Sequence, residues 1–326
     1  MAKISYMKTY YLLRLLLISL IISGVMIPSV STYAQDQTVQ GLKSDATKDV
    51  KEQKIDSGKT WKTGGIYTLN FGQGSQNNWA AGGDNFSMSL ATYLGLYAFY
   101  KEGKYSWDNT LDLNYGLVNT TSLGTRKNDD RIDLLSKFGY AISPKVDVAA
   151  LFDFHTQFSK GYNYNSDGTK DLLSDFMAPG YLLLSLGIDY KPVKGLAIFI
   201  SPLTSRWTFV ENDSLSAHGE YGVTPGKKVR NEIGAFASIT YLADLNKAKT
   251  INYNGRLDLF SDYGHNPQNV DVMMTNMFVA KISKVLNASL GLNLIYDDDV
   301  KLFGPNHDSP GLQLKSLLAV GLAVKF

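Results

Sequence analysis

The stretch FSMSLATYLGLYAFYKEGKYSWDNTLDLNYGLVN, residues 86–119, decides the fold. In its second half Tyr105, Trp107, Asn109, Leu111, Leu113, Tyr115 and Leu117 alternate with Ser106, Asp108, Thr110, Asp112, Asn114 and Gly116. A period of two is the signature of a strand. In the first half Phe86, Met88, Leu90, Leu94, Leu96, Ala98 and Tyr100 share one parity, while Ser87, Ser89, Ala91, Tyr93 and Gly95 take the other. Lys101-Glu102-Gly103-Lys104 turns the chain between them. Strands of this length exceed the usual five or six residues of a soluble sheet, and no neighbouring helix is available to cover their apolar face. Hydrocarbon would cover it. A membrane strand needs about 9–11 residues, alternates apolar-out with polar-in, and carries aromatic residues near both interfaces.

Upstream, Lys3, Lys8 and Arg14 precede an apolar run over 15–27, and Ser31-Thr32-Tyr33-Ala34 precedes Gln35. This pattern predicts an export signal over 1–34, cleaved near Ala34; the run is shorter than the roughly 20 residues a spanning helix needs. The chain has no Cys, which removes both a lipoprotein anchor and a disulfide framework. Residues 35–60 are polar and lack aromatic residues, so they read as a flexible periplasmic leader. From Trp61 onward Tyr, Phe and Trp recur every few residues, and 61–326 reads as one barrel domain. A net charge of +2 with 19% charged residues is too even for a nucleic-acid-binding face.

The same alternation recurs in 61–71, 131–142, 146–159, 181–191, 196–210, 230–242, 251–262, 270–283, 286–297 and 312–326, which with the opening hairpin makes twelve strands. In 196–210 the apolar parity switches near Pro202, from Ile198 and Ile200 to Trp207 and Phe209, which predicts a bulge. Connections alternate short (101–104, 143–145, 192–195, 243–247, about 284) with long (72–84, 120–130, 160–179, 211–229, 263–269, 298–313). Outer-membrane barrels have short periplasmic turns, long outer loops and an even strand number. The expected fold is therefore an all-β, transmembrane, antiparallel up-and-down β-barrel of about twelve strands, in the outer membrane of a Gram-negative cell. A soluble sandwich or jelly roll would show shorter strands and no such loop order. The last strand closes on Phe326, which looks like the terminal aromatic that barrel assembly machinery is expected to read.

The barrel resembles a family of Bacteroidota outer-membrane proteins catalogued only as a domain of unknown function. The resemblance rests on Asn78-Trp79-Ala80-Ala81-Gly82-Gly83, Trp107-Asp108-Asn109-Thr110-Leu111 to Tyr115-Gly116, and Asn128-Asp129-Asp130-Arg131 leading into Asp133 to Tyr140. Ile200-Ser201-Pro202-Leu203-Thr204 and Asn266-Pro267-Gln268-Asn269 share it. It implies location and architecture, and brings no catalytic or binding residue.

Function has to come from the inward parity, which collects Asp108, Asp112, Arg131, Asp133, Lys137, Asp153, His155, Glu232, Arg256 and Asp258. These residues either line a polar conduit or pair across the barrel and fill it. Eight strands are filled by side chains and sixteen hold an open channel, so twelve lies between. His155 is the one His expected on a strand; on the lumen side it is out of reach of a lipid substrate, so no catalytic site is expected. Asp297, Asp298, Asp299, Asn306 and Asp308 lack EF-hand spacing, because Leu302 stands where Gly is needed and Asp308 where Glu is, so they read as an acidic loop rim and no metal or other cofactor is expected. Trp107, Trp207, Tyr100 and Tyr105 read as interfacial aromatics, and Trp79 is the one outer-loop candidate for stacking against a solute. The reading is a narrow channel or binding barrel for a small polar solute, with outer-membrane lipid as its surroundings. The alternative is a non-conducting accessory barrel that works through its loops in a larger complex.

Overall fold

The computed structural model describes residues 60–75, 84–165, 168–283, 286–297 and 309–325. The expected export signal, the leader up to residue 59, Trp79, Asp298, Asp299, Asn306, Asp308 and Phe326 lie outside the described residues.

Among the described residues twelve antiparallel strands close into a barrel: β1 (Trp61–Ser75), β2 (Phe86–Glu102), β3 (Tyr105–Thr120), β4 (Gly124–Ser143), β5 (Val146–Thr156), β8 (Gly180–Tyr190), β9 (Leu196–Phe209), β10 (Val229–Asp244), β11 (Ile251–Asp262), β12 (Asp271–Lys281), β13 (Leu286–Tyr296) and β14 (Gln313–Lys325). Each strand pairs with its neighbours in sequence around the wall, and β1 pairs with β14 to finish it. That is the up-and-down topology expected from the short and long connections. Two further strands, β6 (Gly161–Tyr164) and β7 (Lys170–Ser174), form a hairpin outside the barrel. Among the described residues the closing β1–β14 ladder covers Ile66–Thr68 against Ala323–Lys325, whereas each of the other barrel ladders runs over ten or more residues of each strand.

Two loops differ from the expectation. The connection expected over 120–130 shrinks to 121–123, because β3 and β4 stay paired as far as Thr120 opposite Gly124. One extra residue on β4, between the partners of Gly116 and Leu117, shifts the register. A side-chain bond from Asn119 Nδ2 to Thr125 Oγ1 (2.7 Å) braces the extension. Its polar composition, Thr125 to Asp130, hid a strand with no apolar alternation. The segment 160–179 likewise contains β6 and β7 rather than an open loop.

The bulge expected at Pro202 is present. Between Gly234 and Phe236 of β10, and between Leu186 and Ile188 of β8, β9 advances by three residues where its partner advances by two. Outward parity therefore passes from Ile198 and Ile200 to Leu203, Ser205 and Trp207. Hydroxyl groups take up the disturbed carbonyls: Ser201 Oγ lies 2.8 Å from the Leu186 carbonyl and 2.9 Å from that of Leu203, and Thr204 Oγ1 is 2.8 Å from both Ser185 Oγ and Ser201 Oγ. Glycine makes room on both flanks. A Cβ on Gly187 would run into the Ile200 carbonyl, and one on Gly234 into the Ser261 carbonyl. Backbone cannot yield as a flexible side chain does, so Gly187→Ala is expected to cost about 1–3 kcal/mol through overpacking. The urea midpoint of the refolded barrel measures this, and an unchanged midpoint would contradict the packing described.

Candidate functional site

The wall separates two environments. On its outer face stand Leu69, Phe71, Leu90, Leu184, Leu186, Ile188, Ile200, Leu203 and Ile233, all exposed. Exposing so much contiguous apolar surface to water would be unfavourable, whereas hydrocarbon removes the cost. Aromatic residues gather at both ends of this band. Toward the short turns, Trp61 packs on Tyr100 and Trp107 with ring centres 5.2 and 6.0 Å apart, and Tyr105 packs on Tyr140 at 5.2 Å. Toward the long loops, Tyr115 meets Phe158 at 6.3 Å and Trp207 stacks on Phe209 at 6.5 Å. Three polar side chains on this face pair with one another: Trp107 Nε1 donates to Ser136 Oγ, whose hydroxyl reaches Asn109 Oδ1. A depression of about 550 Å³ lined by Phe138, Phe152, Leu184, Leu186, Leu203 and Ile233 lies on this outer wall.

The inner face is built differently. The ladders place all ten charged residues singled out in the sequence on the parity opposite the exposed apolar set. Six of them form one chain across the bore. Arg131 pairs with Asp133; Asp133 Oδ1 is 2.7 Å from His155 Nδ1; and His155 Nε2 is 3.0 Å from Asp153 Oδ1. Arg256 Nη2 then reaches Asp153 Oδ2 at 3.3 Å, while its Nε donates to Asp258 at 2.9 Å. Arg256 stands on β11 and Asp153 on β5, with β8, β9 and β10 between them along the wall. This contact therefore spans the interior. Asp112, buried on β3, accepts from the Tyr93 hydroxyl of β2. Both nitrogens of His155 face carboxylates, and both can donate at once only as the imidazolium.

Glu232 belongs to a second cluster. Arg206 grips it with two bonds, Nε to Oε2 at 2.9 Å and Nη2 to Oε1 at 2.7 Å, and gives Nη1 to Asp271 at 2.7 Å. Arg230 adds a 2.6 Å bond to the same carboxylate, and the Arg206 guanidinium lies 4.1 Å over the Phe260 ring. Lys137 belongs to a third cluster: its Nζ is 2.7 Å from Asp189, which also lies 3.2 Å from Lys191, itself 2.6 Å from Asp147. Asp108 lies across the ladder from Lys137. Beside these clusters is an apolar patch the alternation did not show, made of Ala149, Leu151, Phe199, Phe236 and Phe260, with Leu135 and Leu183 against it.

Arg206, Arg230, Asp271, Asp189 and Lys191 were missed among the site candidates. Carrying the inward parity past the Pro202 bulge gives Thr204, Arg206 and Thr208, so the signal for Arg206 existed.

Over the long-loop end two connections pack together. Ala178, Val210, Leu215 and Val223 form a buried cluster with Leu172 and Tyr221 against it. The helix α1 (Asp213–Ala217) starts at Asn212, whose Oδ1 accepts from Ser214 and Leu215 and whose Nδ2 donates to Asp175 Oδ2 across the two loops. The Tyr221 hydroxyl donates to the Leu173 carbonyl, and burial, helped by Glu220, pushes its phenol up to about 12. A hydrogen bond from Lys228 holds the Asp213 carboxyl below its ordinary range.

No curated protein sequence matches the chain. Among solved structures, it is similar to the NanC porin (10% identity over 81% of this chain and 98% of the other, TM-score 0.38). It is also similar to the COG4313 outer membrane channel from Pseudomonas putida F1 (13%, 84% and 100%, TM-score 0.41) and to the toluene transporter TodX of P. putida (11%, 83% and 79%, TM-score 0.32). The segment 71–162, which runs from β1 through the start of β6, matches the family described as protein of unknown function (DUF3078).

Proposed function

We propose that this chain is an outer-membrane barrel that admits a small polar solute to its interior, for passage or for binding. One observation carries the reading: Arg131, His155 and Arg256 lie on the inner face, yet keep 42, 34 and 30% of their side-chain surface accessible. Space of solvent size therefore adjoins charged groups inside the wall. The Arg256–Asp153 crossing and the apolar patch narrow that space, which favours a small solute over a wide aqueous pore. On this reading residues 1–34 are an export signal, 35–60 remain in the periplasm, lipid covers the outer face, and assembly machinery reads Phe326. Purified mature barrel in a planar bilayer is expected to show discrete conductance steps, and proteoliposomes to take up or retain a small polar solute. Absence of both conductance and solute uptake or retention would overturn the proposal.

The two connections packed together at the long-loop end favour a second reading, an accessory barrel that works through its loops. Leu173 and Phe176 on them are both more than half exposed. Purification in mild detergent that returns this chain alone would argue against that role.

A further inference from the structure

We propose that the interior selects anions, that is, solutes bearing a carboxylate or phosphate group; this rests on the reading of the barrel as accessible to a polar solute. The inner face carries both signs of charge, so the sequence gives no preference. The structure distinguishes the two signs by depth. Asp133 and Asp153 each keep 6% of their side-chain surface, against 42% for Arg131, 34% for His155 and 30% for Arg256, to which they are paired. At the short-turn end Lys191 keeps 44% while Asp189 keeps 2% and Asp147 keeps 14%. Glu232, at 3%, lies beneath Arg206 and Arg230 at 17 and 20%. The Arg206–Asp271 pair is even, at 17% each.

The asymmetry has a simple cause. A carboxylate on a one- or two-carbon stem stays close to the wall, while Arg and Lys carry their charge several bonds further toward the axis. A solute inside therefore meets the cation first and the acid behind it. Coulomb interaction falls with distance, so the nearer charge dominates even where formal charges cancel. Arg131, His155 and Arg256 are linked through Asp133 and Asp153 into one chain, which fixes two accessible guanidinium groups and an accessible imidazole in one region. Guanidinium groups suit this role, since their planar donor fork matches the two oxygens of a carboxylate or phosphate. Their existing acid partners hold the side chains in place, so little ordering remains to be done when a solute arrives.

The test is the reversal potential of the purified full-length mature barrel across a KCl gradient. The expected sign is that of chloride preference, by several-fold over potassium, with inorganic phosphate reducing the chloride current. Arg131→Gln is expected to lower the preference at least twofold; Asp133 keeps His155 as a partner, so this variant is the one expected to fold. Arg256→Gln, which uncovers Asp153 and Asp258, is expected to lower it further. Potassium preference in the wild-type barrel would overturn the anion assignment and leave the conduit standing. Chloride preference unchanged in both variants would overturn the assignment to these residues. If the barrel conducts nothing, calorimetric titration with inorganic phosphate still decides: binding that Arg131→Gln weakens at least fivefold supports the proposal, and absence of binding overturns it. Loss of both conductance and solute uptake or retention is what would overturn the parent reading.

Discussion

A barrel carrying Leu186→Arg is expected to lose about 2–4 kcal/mol of stability, the cost of a cation near the midplane of a membrane. Leu186 sits in the middle of β8, is 58% exposed, and lies beside Leu203 and Ala150 on the outer wall. In water, an exposed leucine replaced by arginine would shift stability by no more than about 0.5 kcal/mol. The two environments thus give different answers for one substitution. Urea unfolding from lipid vesicles measures it, with Leu186→Ala as the control for lost side-chain volume. A shift within about 0.5 kcal/mol of that control would overturn the reading of this face as lipid-covered.

The second large effect is expected inside. Glu232 is buried at 4% exposure and accepts three bonds, two from Arg206 and one from Arg230. Glu232→Ala withdraws a carboxylate that both guanidinium groups share. Removing one partner of a buried charge pair typically costs about 3–5 kcal/mol, because the remaining charge stays desolvated. Arg206 keeps Asp271, and both arginines retain some access to solvent, so about 3 kcal/mol is expected here. Glu232→Gln keeps the shape and half the acceptors and should fall between. A loss below about 1 kcal/mol for Glu232→Ala would mean that water in the bore replaces the carboxylate, and that the arginine pair is not held by it.

Much of the fold was legible because a wall covered by hydrocarbon favours apolar residues at most of its outward positions. Alternation in 86–117 and in 181–191 reports that preference directly, and even the defect at Pro202 shows in the sequence as a change of parity. Outside the hydrocarbon the preference lapses. The upper parts of β3 and β4, through Thr125 to Asp130, stand in a polar environment where both faces can be hydrophilic, so nothing in their composition marks a strand. The bore obeys no single rule either. Alternation identifies Asp133, Asp153 and Arg256 as inward, but Phe199, Phe236 and Phe260 point inward as well, and an isolated apolar residue on a polar parity carries no signal until its neighbours across the lumen are known. The partner of Arg256 was out of reach for the same reason: Asp153 is 103 residues away, and only closure of the wall brings the two together.

The short β1–β14 ladder has a mechanical consequence. A cylinder of hydrogen-bonded staves is as strong under circumferential tension as its weakest joint, and here that joint is fastened, among the described residues, along three residues of each stave. Under lateral pressure or chemical denaturant the wall should split along this line first, unrolling into a curved sheet while the remaining staves hold together. A disulfide clamped across the split, from Thr68→Cys to Ala323→Cys, should delay that rupture more than the same clamp set anywhere else on the circumference.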